Sequence, residues 1–165
     1  MTRTRLLTLS AVLLVSLVAV PLTASAESTA VSSRAVVKVA FNKTLKKSIL
    51  VDGRGLTLYM YLSDTPGKPA CYNDPTYHCS KAWPPLLTTG APQGQGVKAA
   101  LLGVVKRKGG GVQATYNGHP LYTDAGAKAF GLIADKKPGD VNGQRFLSIW
   151  FVLSPKGTPI RVSAP

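Results

Sequence analysis

Apolar and polar positions alternate along this chain with the short period of β-strands, and no stretch past residue 26 sustains a helical period. Val36 to Phe41 and Ser48 to Val51 are the first two predicted strands, and Leu56 to Leu62 returns as a third after the turn Asp52-Gly53-Arg54-Gly55. Residues 88–96, TTGAPQGQG, read as a loop. Ala99 to Val105 begins as a helical turn and continues as a strand. KRKGGG, residues 106–111, is a basic turn before a strand from Val112 to Tyr116. Asn117-Gly118 is the strongest short hairpin signal, because both residues reach the positive φ that a tight turn needs, and it returns Pro120 to Tyr122 alongside. Phe146 to Leu153 is the most apolar predicted strand, and Thr158 to Val162 is the last. The prediction is an all-β domain with small helical turns only, a two-repeat antiparallel β-sandwich or small barrel with one disulfide.

A different texture precedes these strands. Arg3 and Arg5 stand before an apolar run from Leu6 to Leu22, followed by Ala24-Ser25-Ala26, the pattern of a signal peptide cleaved after Ala26. Residues 27–35 then form a small, polar leader, and 36–165 a single secreted domain. No later apolar run is long enough to span a bilayer, so the mature chain is expected to lack a transmembrane segment.

An internal echo divides the domain. Gly55-Leu56-Thr57-Leu58-Tyr59 is matched by Gly118-His119-Pro120-Leu121-Tyr122, and each copy continues to an aspartate ahead of Pro-Gly, Asp64 and Asp135, then to a tryptophan, Trp83 and Trp150. The repeats run from about 48 to 87 and from about 112 to 155. Each has one apolar face to bury, and packing the two faces together makes one core.

Charge narrows the function. The formal net charge is +13, and loss of Arg3 and Arg5 with the signal peptide lowers it to +11. Such a surface attracts anionic cell-wall polymers, acidic glycans or lipid head groups, whereas nucleic acid fits the charge but not the export signal. Lys106, Arg107 and Lys108 form the best local anion patch, which is equally a solvated hairpin tip.

Candidate chemistry is sparse. Tyr59 and Tyr61 share one face of a strand, with Leu58, Met60 and Leu62 on the other. The tyrosines are either a platform for a ligand with Asp64 as polar anchor, or rings packed between strands while Asp64 caps the Thr65-Pro66-Gly67 turn. Cys71, His78, Cys79 and His119 have the ligand types of a zinc site, but Cys-x6-His-Cys is not a finger spacing. An even cysteine count in an oxidising compartment favours a Cys71–Cys79 disulfide and no metal. Trp83, just beyond, is expected in the core, and His119 in solvent after the Asn-Gly turn. There is no Gly-x-Ser-x-Gly elbow, no His-Glu-x-x-His and no phosphate loop, and all six aspartates lie in or beside turn-like segments, the usual solvated place for the residue. A non-enzymatic protein without a cofactor is expected.

Tyr59-Met60-Tyr61-Leu62-Ser63-Asp64, the paired cysteines, Trp83-Pro84-Pro85-Leu86, and Lys137-Pro138-Gly139-Asp140-Val141-Asn142-Gly143-Gln144 occur in this order. As a set they resemble the secreted repeat family of bacterial lipoprotein-like proteins, which carries a Tyr-x-aromatic-x-x-Asp motif. The resemblance implies export and a two-repeat fold, and brings no catalytic residue with it. Two departures stand out: the apolar run is followed by no cysteine that could be lipidated, and the second repeat, Tyr122-Thr123-Asp124-Ala125, loses the aromatic-Asp half of the motif. The expected function is a cell-envelope binding module for an anionic component. An extracytoplasmic redox, metal- or haem-handling role is the alternative.

Overall fold

The structure, a computed structural model, describes residues 33–162. The expected signal peptide and most of the leader lie outside the described residues.

β1 (Val36–Asn42) and β2 (Lys47–Asp52) form an antiparallel hairpin in which Val39 faces Leu50. Asn42 closes it, its Oδ1 accepting the Leu45 amide at 2.8 Å. Asp52 ends β2: its Oδ1 takes the amides of Arg54 and Leu56, both at 2.9 Å, and so reverses the chain toward β3 (Tyr59–Tyr61). A four-residue helix α1 (Cys79–Ala82) follows. β4 (Gln93–Gln95) lies parallel to β1. The second half repeats the plan. β5 (Leu102–Lys106) and β6 (Val112–Tyr116) are antiparallel, the Asn117-Gly118 turn at φ 51° and 77° leads to β7 (His119–Pro120), and β8 (Trp150–Val152) pairs antiparallel with β3.

These strands make three small sheets, ordered β2-β1-β4, β3-β8 and β5-β6-β7. None closes on itself, so the barrel alternative is not formed. Among the described residues the fold is all-β, with helical content limited to α1 and turns at Ala99–Leu101, Lys128–Phe130 and Phe146–Ser148.

Alternation along β3 sorts its side chains into two apolar clusters. Tyr59 and Tyr61 join Trp83, Tyr122, Trp150 and Val152 on one side. Leu58 and Met60 join Leu50, Tyr116, Leu121 and Phe151 on the other.

Local pattern misjudged four segments. The stretch 88–96 contains β4, whose glycine-rich sequence carries no strand signal of its own; β1 supplies the pairing partner. Leu56 to Leu62 shortens to β3 because Asp52 holds Leu56 in a turn. Phe146 to Leu153 is broken by a reversal in which Arg145, Leu147 and Ser148 take φ of 62°, 50° and 58°, and only Trp150–Val152 is strand. Thr158 to Val162 makes a bridge at Leu153–Pro159 rather than a strand, since proline offers no amide to a ladder.

Candidate functional site: an aromatic groove where the repeats meet

The sequence echo is a spatial one. Tyr59 and Tyr122 face each other and exchange both backbone hydrogen bonds, at 2.9 and 3.0 Å. Their neighbours follow the same rule: Leu58 donates to the Leu50 carbonyl and Leu50 to Leu153, as Leu121 donates to Ala114 and Ala114 to Leu86.

Side chains obey it too. The Tyr59 hydroxyl, from the first repeat, donates to Asp135 Oδ2 in the second at 2.7 Å, and Tyr122 donates back to Asp64 Oδ1 at 3.3 Å. Asp64 also accepts the Ala70 amide at 2.6 Å, as Asp135 accepts that of Asn142 at 2.9 Å. Trp83 and Trp150 lie flat on one another, centroids 3.9 Å apart and planes 5° apart. Tyr59 meets Trp83 edge-on at 5.2 Å, and Tyr122 meets Trp150 edge-on at the same distance. Aromatic pairs in these geometries contribute about 0.5–1.5 kcal/mol each beyond their burial. The motif aspartates and tyrosines therefore clasp one repeat to the other.

Symmetry breaks at one position. Tyr61 stacks on Trp150 at 4.4 Å, whereas the corresponding residue of the second repeat is Asp124. Its Oδ1 accepts the Gly126 amide at 2.7 Å, while Oδ2 is buried without a hydrogen-bond partner. Gly143 makes room for this: a Cβ there would stand 2.5 Å from Trp83 Cη2 and 2.9 Å from Asp124 Oδ2. Burial pushes the Asp124 carboxyl up to about 7, with the Asp135 charge adding to it, and burial pushes Asp64 up to about 6. Asp135 is raised as well, and the Tyr59 hydroxyl lies well above the ordinary tyrosine range, in both cases chiefly by burial.

Beside the clasp, Tyr61, Trp83 and Trp150 line a groove of about 420 Å³ walled by Phe146 and Ile149. At its margin stand Tyr77, Phe130 and Leu147, exposed by 65, 50 and 67 %. Each comes from a different turn. Asp74, on the wall, has its carboxylate occupied by the amides of Thr76 and Tyr77 at 3.0 and 2.7 Å, bonds that hold its pKa below the usual range. A groove of this size and lining suits an apolar group.

Among the residues singled out from the sequence, Tyr59 is wholly buried and Tyr61 half-buried on the groove floor. Asp64 is half-buried, and its carboxylate caps the amide of Ala70, beyond the Thr65-Pro66-Gly67 turn that it was expected to cap. Cys71 and Cys79 are joined, with Cα atoms 5.3 Å apart, and Trp83 is buried as expected. Arg107 is tied down: its guanidinium donates to the Cys71 carbonyl at 2.6 Å and to Gln113, and lies 4.5 Å over the Tyr72 ring. Lys106 and Lys108 remain exposed beside it. The fold brings Arg107 and Asp64 near enough that the guanidinium charge partly offsets the burial of the carboxyl. His119 is half-buried, not solvent-facing, because its strand lies along Tyr116. Four of the aspartates are not solvated: Asp52, Asp124 and Asp135 are buried and Asp64 half-buried, because their carboxylates cap backbone amides or accept from tyrosines. Asp74 and Asp140 hold their turns with carboxylates at the surface, as expected. Among the described residues no group of three His, Cys, Asp or Glu side chains is placed to hold a metal ion, and no helix is long and apolar enough to cross a membrane. Sequence reasoning missed Tyr77, Phe130 and Leu147; their only signal was large apolar side chains inside polar, turn-rich segments.

Comparison with known proteins adds one finding. No curated protein and no solved structure matches the chain. A family model described as a secreted repeat of unknown function matches it twice, over residues 42–87 and 103–154, one match to each half of the clasp. The chain thus belongs to that family of secreted repeat proteins.

Proposed function

We propose that this protein is an exported, non-catalytic binding module that holds an anionic component of the cell envelope on its cationic surface. The observation that carries the reading is the partition of charge. Every lysine of the described residues except Lys38 is exposed, whereas no aspartate is more than half-exposed. Asp52, Asp64, Asp124 and Asp135 are used inside the fold, as caps and clasps, so the outside carries most of the lysines against few acids.

Lys106 and Lys108 contribute to that surface, while Arg107 acts as an internal clamp. The redox alternative has less behind it, since Cys71 and Cys79 are bonded to each other and leave no free thiol. Passage over acidic-polymer beads and uncharged beads of the same matrix tests the reading: retention on the acidic beads alone supports it, and equal behaviour on both contradicts it.

A further inference from the structure

Large apolar side chains left in solvent are scattered singly on most proteins, but here four of them gather. Tyr77, Phe130 and Leu147 surround the groove, and Ile133, 68 % exposed, stands in an adjoining hollow that shares Ala127 with it. Lysines sit on the same turns. Lys81 is on α1, whose Cys79 and Ala82 line the groove, and Lys128 and Lys136 line the adjoining hollow. The one acid on the groove wall, Asp74, already accepts two backbone amides.

The backbone around Leu147 is costly. Arg145, Leu147 and Ser148 all occupy left-handed φ, a region that side chains with a Cβ disfavour. This backbone leaves Leu147 67 % exposed at the groove margin. An apolar tip fixed outward beside lysines is complementary to one kind of surface, with hydrocarbon below and negative charge above.

We propose that this face docks on an anionic lipid bilayer. Tyr77, Phe130 and Leu147 enter the boundary between head groups and acyl chains, and Lys81, Lys128 and Lys136 meet the lipid phosphates. The tyrosine ring suits that depth, apolar in its body and polar at its hydroxyl. This rests on the binding role proposed above and names the component bound.

The test is flotation of the full protein with vesicles of phosphatidylcholine, alone or mixed with phosphatidylglycerol. Three forms are compared: the wild type, the triple variant Tyr77→Ser, Phe130→Ser, Leu147→Asn, and the charge-reversed pair Lys81→Glu, Lys128→Glu. Asparagine is chosen at 147 because it tolerates left-handed φ. The wild type should float with the mixed vesicles only, and each variant should lose about tenfold in partitioning. Both tryptophans of the chain line the groove, so lipids brominated in the upper acyl chain should quench the bound wild type.

Binding by the triple variant equal to wild type, or binding without quenching, overturns the docking face while leaving the electrostatic reading intact. So does retention on acidic polymer without flotation. Failure to bind either anion defeats both. A concentration-dependent dimer that the triple variant abolishes makes the face a self-interface, and overturns the lipid assignment.

Discussion

Tyr59 reaches across the repeat boundary to place its hydroxyl 2.7 Å from Asp135 Oδ2. The hydroxyl also accepts the Gly143 amide at 3.3 Å, so one buried phenol ties three points of the fold together. Tyr59→Phe removes the donor and leaves the Asp135 oxygen buried without it, which should cost about 1–3 kcal/mol. Tyr122→Phe breaks a 3.3 Å bond to a half-buried carboxylate and should cost about 1 kcal/mol or less. Urea unfolding of the two variants checks the order; equal losses would mean that the clasp is not where the stability lies.

Gly143 is the tightest point of the aromatic centre. A methyl group there meets the Trp83 ring at 2.5 Å and Asp124 Oδ2 at 2.9 Å, and Trp83 is backed by its stack on Trp150. Gly143→Ala should destabilise by about 2 kcal/mol, within the range for overpacking. It should also disturb the near-ultraviolet dichroism of the stacked tryptophans.

The loop closed by Cys71 and Cys79 presents Tyr77 and delivers Trp83 into the core. For a loop this short the chain-entropy relation gives about 2.6 kcal/mol, so Cys71→Ser should lower stability by roughly that amount. Thermal unfolding with and without reductant provides the comparison: reduction should shift the wild type and leave the variant unmoved.

Asp124 and Asp64 have carboxyls raised to about 7 and about 6 from an ordinary value of 3.8. The folded protein therefore holds these protons where the unfolded chain releases them. Their contribution to stability is complete below about pH 4 and is lost as pH rises through 6 to 7. Asp124→Asn should flatten this decline and make the variant no less stable than wild type at pH 8. A decline of unchanged steepness would assign it to other groups.

Much of the clasp could be read from the sequence, because its parts recur. Tyr59 with Tyr122, Asp64 with Asp135 and Trp83 with Trp150 were legible as an echo, and the structure turns that echo into contacts. The exchange of partners, each tyrosine bonding the other repeat's aspartate, was not legible, since a repeat pattern says which residues correspond and not which ones touch. β4 was hidden for a related reason: Gln93-Gly94-Gln95 becomes a strand only because β1 lies beside it. The groove margin was invisible because Phe146-Leu147-Ser148 looks like strand, and only the left-handed turn exposes Leu147. Aspartates in turn segments look solvated until the amides they cap are known.

The central claim is that inward-turned acids leave a cationic surface that holds the protein on the envelope. Salt elution of the mature protein from isolated envelopes tests it most directly, because exposed charges are screened within about 10 Å at 0.1 M salt and about 3 Å at 1 M. The account predicts retention at low ionic strength and release as salt rises toward 1 M, even if the groove contributes a residual apolar hold. Elution no earlier at high salt than at low salt would contradict it.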